Sequence, residues 1–308
     1  MITVLMGTFN GEKWVGEQLD SLLNQTLMPD RILIHDDCST DSTLAILRDY
    51  QSKYPELVEV VRNPSNSGGS AQNFISMMTN VRDDYLMLCD QDDIWLPDKV
   101  RLSYEKITQM ETVWGASTPC LMHSDLTVVD EDLTPQASSF QQSTFANYDR
   151  TTLKDQIIQN TATGCTIMYN RALAGLITYT PRHMVMHDWW ISLIAAAFGH
   201  MGHIDDRTIL YRQHRANQIG VTDMRTLKYK MSRLVNPNQV KADIAKTYPQ
   251  AQEFLDTFAD KLDNDQVTLL RGYCAIPTKN KLGRISSVIK LGVWKTGFSR
   301  NVAYLLFI

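Results

Sequence analysis

The sequence lacks the features that would mark a membrane-spanning, secreted or unfolded chain. No apolar run reaches the roughly 18 residues that a membrane-spanning helix requires. The first residues, MITVLMGTFNGEKW, carry neither a basic segment nor a long apolar one, so a secretory signal is not expected. Hydrophobic residues make up 44% and charged residues 21% of the 308, which excludes disordered, collagen-like and coiled-coil chains. A globular, cytoplasmic protein is predicted.

The sequence also contains few cysteines and no excess of basic over acidic residues. Lys and Arg number 30 against 34 Asp and Glu, a formal net charge of −4, so a nucleic-acid partner is not expected. Acidic residues are in turn absent after Asp265, where seven basic residues follow. This asymmetry predicts a C-terminal segment that contacts an anionic surface. The five cysteines follow neither a zinc-binding nor a disulfide spacing: Cys38, Cys89, Cys120, Cys165 and Cys274.

The first half of the chain alternates short apolar runs with segments of helical periodicity. Such alternation is typical of βαβ units with right-handed crossovers and a parallel sheet. Strands are predicted over Ile2–Met6, Arg31–His35, Leu57–Val61 and Tyr85–Cys89. Helices are predicted over Glu12–Asn24, from about Asp41 to Tyr50, from the Asn63–Gly69 loop to about Thr79, and from Pro97 onward.

Polar residues follow three of these strands. Thr8–Asn10, Asp36–Asp37 and Asp90–Asp93 each come at a strand end, where ligands of parallel sheets bind, so we expect them to meet in one site. Asp90 and Asp92 are spaced so that their carboxylates can hold a divalent ion on substrate phosphate oxygens. The alternative for this acidic cluster is an ordinary turn.

Asp37 offers a second kind of chemistry at the end of the second strand. A carboxylate there can accept a hydrogen bond from the imide N–H of a pyrimidine base. The alternative is that this segment only caps the following helix, through Ser39, Thr40 or Asp41.

The second half is less regular. Strands are predicted over Leu121–Val129 and Thr163–Tyr169, a polar acceptor-side loop over Ser138–Asp155, and helices from Asp223 to Arg271. We therefore divide the chain into an α/β domain, residues 1–222, and a C-terminal helical region, residues 223–308.

The end of the helical region, Lys279–Ile308, has a basic amphipathic pattern. Leu282, Ile285, Ile289 and Val293 fall on one helical stripe, with basic residues roughly opposite. The pattern predicts a helix that lies on an anionic membrane surface. The alternative is a helix that packs on the core of the protein with a solvated basic face.

Seven short motifs follow one another in an order that points to a family. TFNGE at 8–12, DDCSTD at 36–41, NSGG at 66–69 and CDQDD at 89–93 precede TGCT at 163–166, HDWW at 187–190 and YRQH at 211–214. Together they resemble the inverting glycosyltransferases of family 2, and within them bacterial rhamnosyltransferases of cell-wall and O-antigen polysaccharide synthesis. The resemblance implies a GT-A fold, that is, a Rossmann-like nucleotide-binding domain with a mixed central sheet. The Q-x-x-R-W signature and membrane helices of processive synthases are missing, which disfavours polymerisation.

The resemblance also implies roles for individual residues. Asp37 would contact the pyrimidine, and Asp90 and Asp92 match the DXD motif that holds the ribose and a Mg²⁺ or Mn²⁺ on the diphosphate. Asp188 would be the general base that an inverting transfer requires, with His187 or Asp125 as alternatives. Further nucleotide-sugar contacts would come from Thr8, Asn10, Glu12, Asn66, Gly68, Asn73 and Arg212, and a further metal ligand from His214.

The predicted function is transfer of L-rhamnose from dTDP-L-rhamnose to a saccharide acceptor that is lipid-linked, at the inner face of the cell membrane. A different donor such as a UDP-hexose, a nucleotidyltransferase activity and a non-catalytic nucleotide-sugar scaffold are the alternatives. The segment GTFNGEKW is poor in the basic loop residues that a nucleotidyltransferase uses, and a scaffold would not need Asp188. The sequence leaves the oligomeric state open, with a homodimer among the options.

Overall fold

A computed structural model describes residues 1–214 and 237–308 of the chain. Its strands are β1 (Ile2–Thr8), β2 (Arg31–Asp36), β3 (Val58–Arg62), β4 (Tyr85–Asp90), β5 (Ile94–Trp95), β6 (Cys120–Val129), β7 (Pro135–Ala137), β8 (Met168–Asn170) and β9 (His200–Arg212). The helices of the α/β part are α1 (Val15–Leu23), α2 (Thr43–Lys53), α3 (Ser70–Met78), α4 (Lys99–Trp114), α5 (Phe140–Thr144), α6 (Leu153–Gln156), α7 (Arg171–Ala174) and α8 (His187–Phe198). The C-terminal helices are α9 (Pro237–Ala245), α10 (Thr247–Thr257), α11 (Asn264–Cys274), α12 (Lys281–Leu291) and α13 (Phe298–Phe307).

The strands form one mixed sheet in the order β3-β2-β1-β4-β8-β6-β9-β5, with β7 paired to β6. Strands β1 to β4 are parallel, whereas β8 runs antiparallel to both β4 and β6. The four strands predicted in the first half are confirmed, with bounds that agree to within two residues. The predicted α/β fold of GT-A type with a mixed sheet and a C-terminal helical part is confirmed as well.

Helices cover both faces of the parallel strands. Leu5 faces a core that includes α3 and α8, while its neighbours Val4 and Met6 face a second core that includes α1 and α4. All three side chains are fully buried. Because successive side chains of a strand point to opposite faces, a strand covered on both sides has an uninterrupted apolar sequence.

The C-terminal helices share the core of the α/β part. Trp190 of α8 lies 5.5 Å from the ring of Phe254 and 6.4 Å from that of Phe258, centroid to centroid. Val288 of α12 and Tyr304 of α13 belong to the same buried cluster. The helices predicted up to Arg271 are present from 237 onward; their first part and the boundary at 222/223 lie outside the described residues.

Two predictions for the second half are wrong in part. Only β8 is a strand within the segment predicted as one, because Thr166 N donates to Thr163 O and closes a 3-10 turn over Gly164–Thr166. The predicted loop over 138–155 contains the short helix α5 and the first three residues of α6. Ser139 caps α5 by accepting a hydrogen bond from Gln142 N at 3.0 Å.

The predicted stripe of the last segment is also wrong in part. Helix α12 ends at Leu291, and Gly292 takes a left-handed φ of +68°, so the chain turns before Val293, which is buried. Leu282 and Ile289 are by contrast 78% and 59% exposed, since α12 packs on the core through Val288. None of the helices in the described ranges has the length and apolar character needed to cross a membrane.

Candidate active site

The carboxyl ends of β1, β2 and β4 lie side by side. In the sheet Thr8 pairs with Asp36 and Gly7 pairs with Asp90. Thr8 Oγ1 donates a hydrogen bond of 3.3 Å to Oδ1 of the buried Asp36. The sheet therefore brings the TFNGE, DDCSTD and CDQDD segments together at one edge, as the strand pattern predicts.

Asn10 and Glu12 hold the loop after β1 against the loop after β2. Asn10 Oδ1 accepts a hydrogen bond from Thr40 N at 2.8 Å, and Glu12 Oε2 accepts one from Ser42 N at 2.8 Å. Asn10 has a φ of +48°, a left-handed conformation that asparagine tolerates better than most residues. Both side chains shape the loops of the site, and their contact with a nucleotide stays a prediction.

Asp37 connects the end of β2 to the NSGG segment. Its Oδ1 accepts hydrogen bonds from Ser67 N at 2.7 Å and Asn63 Nδ2 at 2.9 Å, and its Oδ2 accepts one from Ser67 Oγ at 2.8 Å. Asn66 Nδ2 donates to the backbone oxygen of Asp37 at 3.0 Å. A carboxylate has about four acceptor positions, so these three bonds leave one, on Oδ2, for a base N–H.

Gly68 and Asn73 lie in the same region with different surroundings. Gly68 has a φ of +97°, and a Cβ there would meet nothing within 4 Å, so the glycine is required by its backbone conformation and not by crowding. Asn73 is 2% exposed; its Nδ2 donates to His35 O and its Oδ1 accepts from Asn63 Nδ2, both at 3.0 Å. Asn73 therefore supports the loop that carries Asp37.

Three carboxylates lie within four residues at the end of β4, those of Asp90, Asp92 and Asp93. Burial, followed by the charges of Asp92 and Asp188, raises the pKa of Asp90 to about 7. Neighbouring carboxylates of this kind resist ionisation unless a cation compensates them. Carboxylate oxygens are the ligands that Mg²⁺ and Mn²⁺ prefer, so the cluster fits a divalent cation.

Asp188 lies in the first turn of α8 and faces the TGCT turn. Its Oδ2 accepts a hydrogen bond from Gly164 N at 3.1 Å and its Oδ1 accepts one from Trp189 N at 2.6 Å. Burial raises the pKa of this carboxyl to about 6. Met186 occupies the N-cap position of α8, so Asp188 is not its N-cap residue.

The alternative bases are occupied within the fold. The His187 ring stacks on Phe74 at a centroid distance of 4.4 Å, and burial lowers its pKa to about 3, which keeps it neutral. Asp125 is buried, and its Oδ1 accepts hydrogen bonds from Gln141 N at 3.0 Å and Tyr148 Oη at 3.4 Å. The assignment of the base to Asp188, with His187 or Asp125 as alternatives, stays a prediction.

Asp92 and His214 are in contact although 122 residues separate them in sequence. His214 Nε2 and Asp92 Oδ2 are 2.9 Å apart, and both groups can bind a divalent metal. Within residues 1–214 and 237–308, one group of three offers ligand atoms that all lie within 4.8 Å of one another: Asp90, Asp93 and Cys165. This group contains Asp90 of the DXD motif but not the predicted ligands Asp92 and His214, and Cys165 is the member that sequence reasoning did not single out.

Arg212 holds the loops around this site together. Its guanidinium is 2% exposed and donates from Nε to Asp92 O at 2.9 Å, from Nη1 to Glu131 O at 2.7 Å and from Nη2 to Glu17 Oε2 at 2.6 Å. The guanidinium also lies 4.2 Å from the centre of the Trp14 ring. Its predicted contact with the diphosphate stays a prediction.

Sequence reasoning missed Gln91, the residue between the two DXD carboxylates. Gln91 Oε1 accepts a hydrogen bond from Phe9 N at 2.9 Å, and its Nε2 donates to Phe9 O at 3.0 Å. A Cβ at Gly11 would lie 2.2 Å from Gln91 Oε1, so the glycine makes room for this amide. The spacing of the motif residues does not reveal such a contact, and the glycine at position 11 is the local signal in the sequence.

Comparison with known proteins agrees with this geometry. The profile of the family described as "Glycosyl transferase family 2" matches residues 3–176. The dTDP-rhamnosyl transferase RfbG of Shigella flexneri is 28% identical over 254 residues, which cover 78% of this chain and 82% of that protein. The putative teichuronic acid biosynthesis glycosyltransferase TuaG of Bacillus subtilis is 27% identical over 202 residues, 64% of this chain and 73% of that protein.

Solved structures share the fold at low sequence identity. The S. aureus TarS fragment 1–349 in complex with UDP-GlcNAc has a TM-score of 0.56 and 16% identity, over 95% of this chain and 92% of that one. The mannosyltransferase of Pyrobaculum calidifontis in complex with GDP-Man and Mn²⁺ has a TM-score of 0.52 and 14% identity, over 99% of this chain and 78% of that one. Because the family profile covers more than half of the chain and its motifs form one site, the chain belongs to glycosyltransferase family 2.

Proposed function

We propose that the protein transfers L-rhamnose from dTDP-L-rhamnose, with inversion, to a lipid-linked saccharide in bacterial cell-surface polysaccharide synthesis. One observation carries the proposal: the Asp188 carboxylate accepts a hydrogen bond from Gly164 N at 3.1 Å, and the TGCT turn that contains Gly164 leads into Ile167, whose O accepts a hydrogen bond from Leu88 N of β4 at 3.3 Å, two residues before Asp90. The rhamnosyl donor is supported by the Shigella flexneri relative, whose name states that activity.

The chemistry assigned to Asp188 is general base catalysis. The acceptor hydroxyl gives its proton to the Asp188 carboxylate while its oxygen forms a bond to the anomeric carbon of the donor. The bond between that carbon and the diphosphate oxygen breaks, and its electron pair leaves with the nucleoside diphosphate. Attack from the face opposite the leaving group inverts the anomeric centre.

Asp92 and His214, with Asp90 nearby, would hold a Mg²⁺ or Mn²⁺. Bound there, the cation would neutralise the charge of the departing diphosphate. Arg212 keeps the loop of Asp92 in place through its bond to the Asp92 backbone oxygen. The Mn²⁺ in the mannosyltransferase complex supports this assignment.

The nucleotide half of the donor would bind along the ends of β1 and β2. Asp37 Oδ2 would accept the imide N–H of thymine with its remaining acceptor position. The surrounding wall would come from Thr8, Asn10, Glu12, Asn66, Gly68 and Asn73, which shape or support these loops. The basic C-terminal helices would bring the protein to the inner face of the cell membrane, where a lipid-linked acceptor resides.

A donor screen tests this proposal. Purified protein is incubated with dTDP-L-rhamnose, UDP-hexoses and GDP-mannose in the presence of Mg²⁺ or Mn²⁺, and release of nucleoside diphosphate is measured with Asp188→Asn as the control. We expect turnover with dTDP-L-rhamnose that the control lacks. Preference for a UDP-hexose would contradict the donor, and binding of nucleotide sugars without turnover, with or without acceptor, would favour a scaffold.

A further inference from the structure

Trp14 packs against two residues of the YRQH motif. Its ring stacks on the ring of His214 at a centroid distance of 5.7 Å and an interplanar angle of 21°, and the Arg212 guanidinium lies 4.2 Å from its centre. The partly buried indole comes from the loop after β1, where Trp14 N and Val15 N both donate to Gly11 O at 3.0 Å. Stacked rings and cations over a ring attract one another at these distances. One indole thus contacts two motif side chains that are distant in sequence.

A series of contacts leads from Arg212 back to Trp14. Arg212 Nη1 donates to Glu131 O at 2.7 Å, and Glu131 Oε2 accepts a hydrogen bond from Lys13 Nζ at 2.7 Å. Lys13 Nζ in turn lies 4.0 Å from the centre of the Trp14 ring. The side chains of Lys13 and Glu131 are 62% and 44% exposed, and ion pairs as exposed as this one contribute little to stability. The indole therefore contributes more to this arrangement than the ion pair does.

The arrangement bears on the orientation of the His214 ring. His214 Nε2 lies 2.9 Å from Asp92 Oδ2, and the two side chains are 9% and 14% exposed. An imidazole binds a metal through a ring nitrogen, so the orientation of the ring decides whether it can act as a ligand. Stacking on Trp14 uses the face of the imidazole and leaves the nitrogen atoms at its edge for Asp92 or for a metal. Residues that orient a metal ligand are worth about 10- to 100-fold in metal affinity.

We propose that Trp14 is a positioning residue of the metal site, whose indole holds the His214 imidazole so that Nε2 meets the carboxylate of Asp92. The inference rests on the proposed function, because it takes His214 and Asp92 as ligands of the divalent cation. Direct contact of the indole with the nucleotide, and packing without a role in binding, are the alternatives. The three roles differ in what a change at Trp14 does to metal affinity and to nucleotide affinity without metal.

Mn²⁺ binding to the full chain tests the proposal. Mn²⁺ is titrated into parent and variants, without nucleotide and with dTDP, and the free ion is measured by electron paramagnetic resonance. Trp14→Leu keeps an apolar side chain but removes the ring, so we expect Mn²⁺ affinity at least about tenfold weaker. Trp14→Phe, which can still stack on the imidazole, should stay within about threefold of the parent. If Trp14→Leu does not fold, Trp14→Met, which fills more of the space without a ring, carries the same expectation.

Trp114 provides a matched control. Its ring stacks on that of His200 at a centroid distance of 3.7 Å and an interplanar angle of 19°. His200 begins β9, whereas the candidate active site lies at the other end of that strand, beyond Arg212. Trp114→Leu therefore removes a stack of the same kind away from the site, and it should leave Mn²⁺ affinity as it is in the parent. An equal loss in Trp114→Leu and Trp14→Leu would assign the effect to overall stability and overturn the proposal.

A double-mutant cycle with His214→Gln separates positioning from direct contact. If Trp14 acts through His214, Trp14→Leu should weaken Mn²⁺ binding little further in the His214→Gln background. Calorimetric binding of dTDP in EDTA should be the same in Trp14→Leu as in the parent. Additive losses of Mn²⁺ affinity, or weaker dTDP binding in EDTA, would overturn the proposal in favour of direct contact with the nucleotide.

The Mn²⁺ titration also distinguishes failure of this inference from failure of the proposed function. Parent-like Mn²⁺ affinity in Trp14→Leu would reduce Trp14 to packing and leave the metal site of the proposed function intact. A parent that binds no Mn²⁺, with or without dTDP, would instead remove the metal from the proposed function, and the positioning role of Trp14 would fall with it.

Discussion

Two backbone N–H groups hold the Asp188 carboxylate, that of Gly164 on Oδ2 and that of Trp189 on Oδ1. Asp188→Asn keeps the size of the side chain and one accepting oxygen but removes the proton-accepting carboxylate. We expect turnover to fall by at least about a hundredfold, since a general base contributes about 10²–10⁴-fold. Calorimetric binding of dTDP should stay near that of the parent. Normal turnover of the variant would move the search for the base to His187 or Asp125.

The pH dependence of turnover follows from the same carboxyl. Burial raises the pKa of Asp188 to about 6, so the base is protonated, and inactive, at lower pH. With saturating donor and Mn²⁺, kcat should fall about tenfold per pH unit below about pH 6 and level off above it. His187, whose pKa burial lowers to about 3, adds no limb to the profile in this range. A profile that is flat down to about pH 5 would contradict the role of Asp188.

Asp37 has two functions that matched variants can separate. Asp37→Ala removes the acceptor for the base and also the bonds to Ser67, so dTDP binding should weaken by about 1–3 kcal/mol. Ser67→Ala removes the hydroxyl, which lies within hydrogen-bond distance of Asp37 Oδ2 and of Gly69 O, and leaves the carboxylate in place, so its effect on dTDP affinity should be clearly smaller. Calorimetry of both variants with dTDP measures the difference. Equal losses would mean that Asp37 acts through the loop and not on the base.

Gln91 acts between elements, because its amide connects the backbone after β1 to the acidic segment after β4. Gln91→Glu replaces the donating Nε2 by an oxygen that faces the carbonyl oxygen of Phe9, whereas Gln91→Ala removes both bonds without repulsion. We expect kcat/KM for the donor to fall by about tenfold or more in Gln91→Glu and by less in Gln91→Ala, since small displacements of positioning groups are costly. Steady-state kinetics measure the loss in each variant, and thermal unfolding serves as the control that each variant is folded. An equal loss in the two variants would contradict the positioning role.

Elements that depend on local periodicity could be predicted from the sequence, and those that depend on distant pairing could not. The four parallel strands and the polar residues at their ends follow from short apolar runs and turn residues. The position of β8 between β4 and β6 depends on contacts between distant parts of the chain. The local pattern therefore predicts a strand that is longer than β8. The bend after α12 depends on one left-handed glycine, Gly292, inside an otherwise helical pattern.

The same limit applies to the candidate site. Motif order was enough to predict that Asp92 and His214 belong to one site, and the structure places them in contact. Burial of the Arg212 guanidinium was not predictable, because its acceptors Glu17, Asp92 and Glu131 come from three distant segments. The sequence predicts that Arg212 contacts a phosphate. In the structure its buried guanidinium bonds to these three acceptors, which only the fold brings together.

At the scale of the whole molecule, carboxylates gather at the candidate active site and basic residues at the C-terminal end, and the proposal that this basic end contacts an anionic membrane can be tested. Removing residues 279–308 would expose core neighbours of Val288, Val293 and Tyr304, so a point variant is the sharper test. Lys290 is exposed on α12, and Lys290→Glu should weaken binding to vesicles that contain phosphatidylserine by about 1 kcal/mol per unit of charge. Salt should weaken binding of the parent as well, because the screening length falls from about 8 Å at physiological ionic strength to about 3 Å at 1 M.

Co-sedimentation with vesicles measures this attraction, and the charge of the lipid supplies the control. The parent should bind anionic vesicles and not neutral phosphatidylcholine vesicles, because seven basic side chains follow Asp265 without an acidic one between them. Lys246→Glu, which places the same change at the N-cap of α10, should have a smaller effect, since Lys246 already lies beside the carboxylate of Asp243. Binding that is equal for neutral and anionic vesicles, or unaffected by salt, would assign membrane contact to the exposed apolar side chains of α13, which are Phe298, Val302 and Leu306. Failure to bind either vesicle would contradict the proposed membrane contact and would leave the basic end as a solvated surface.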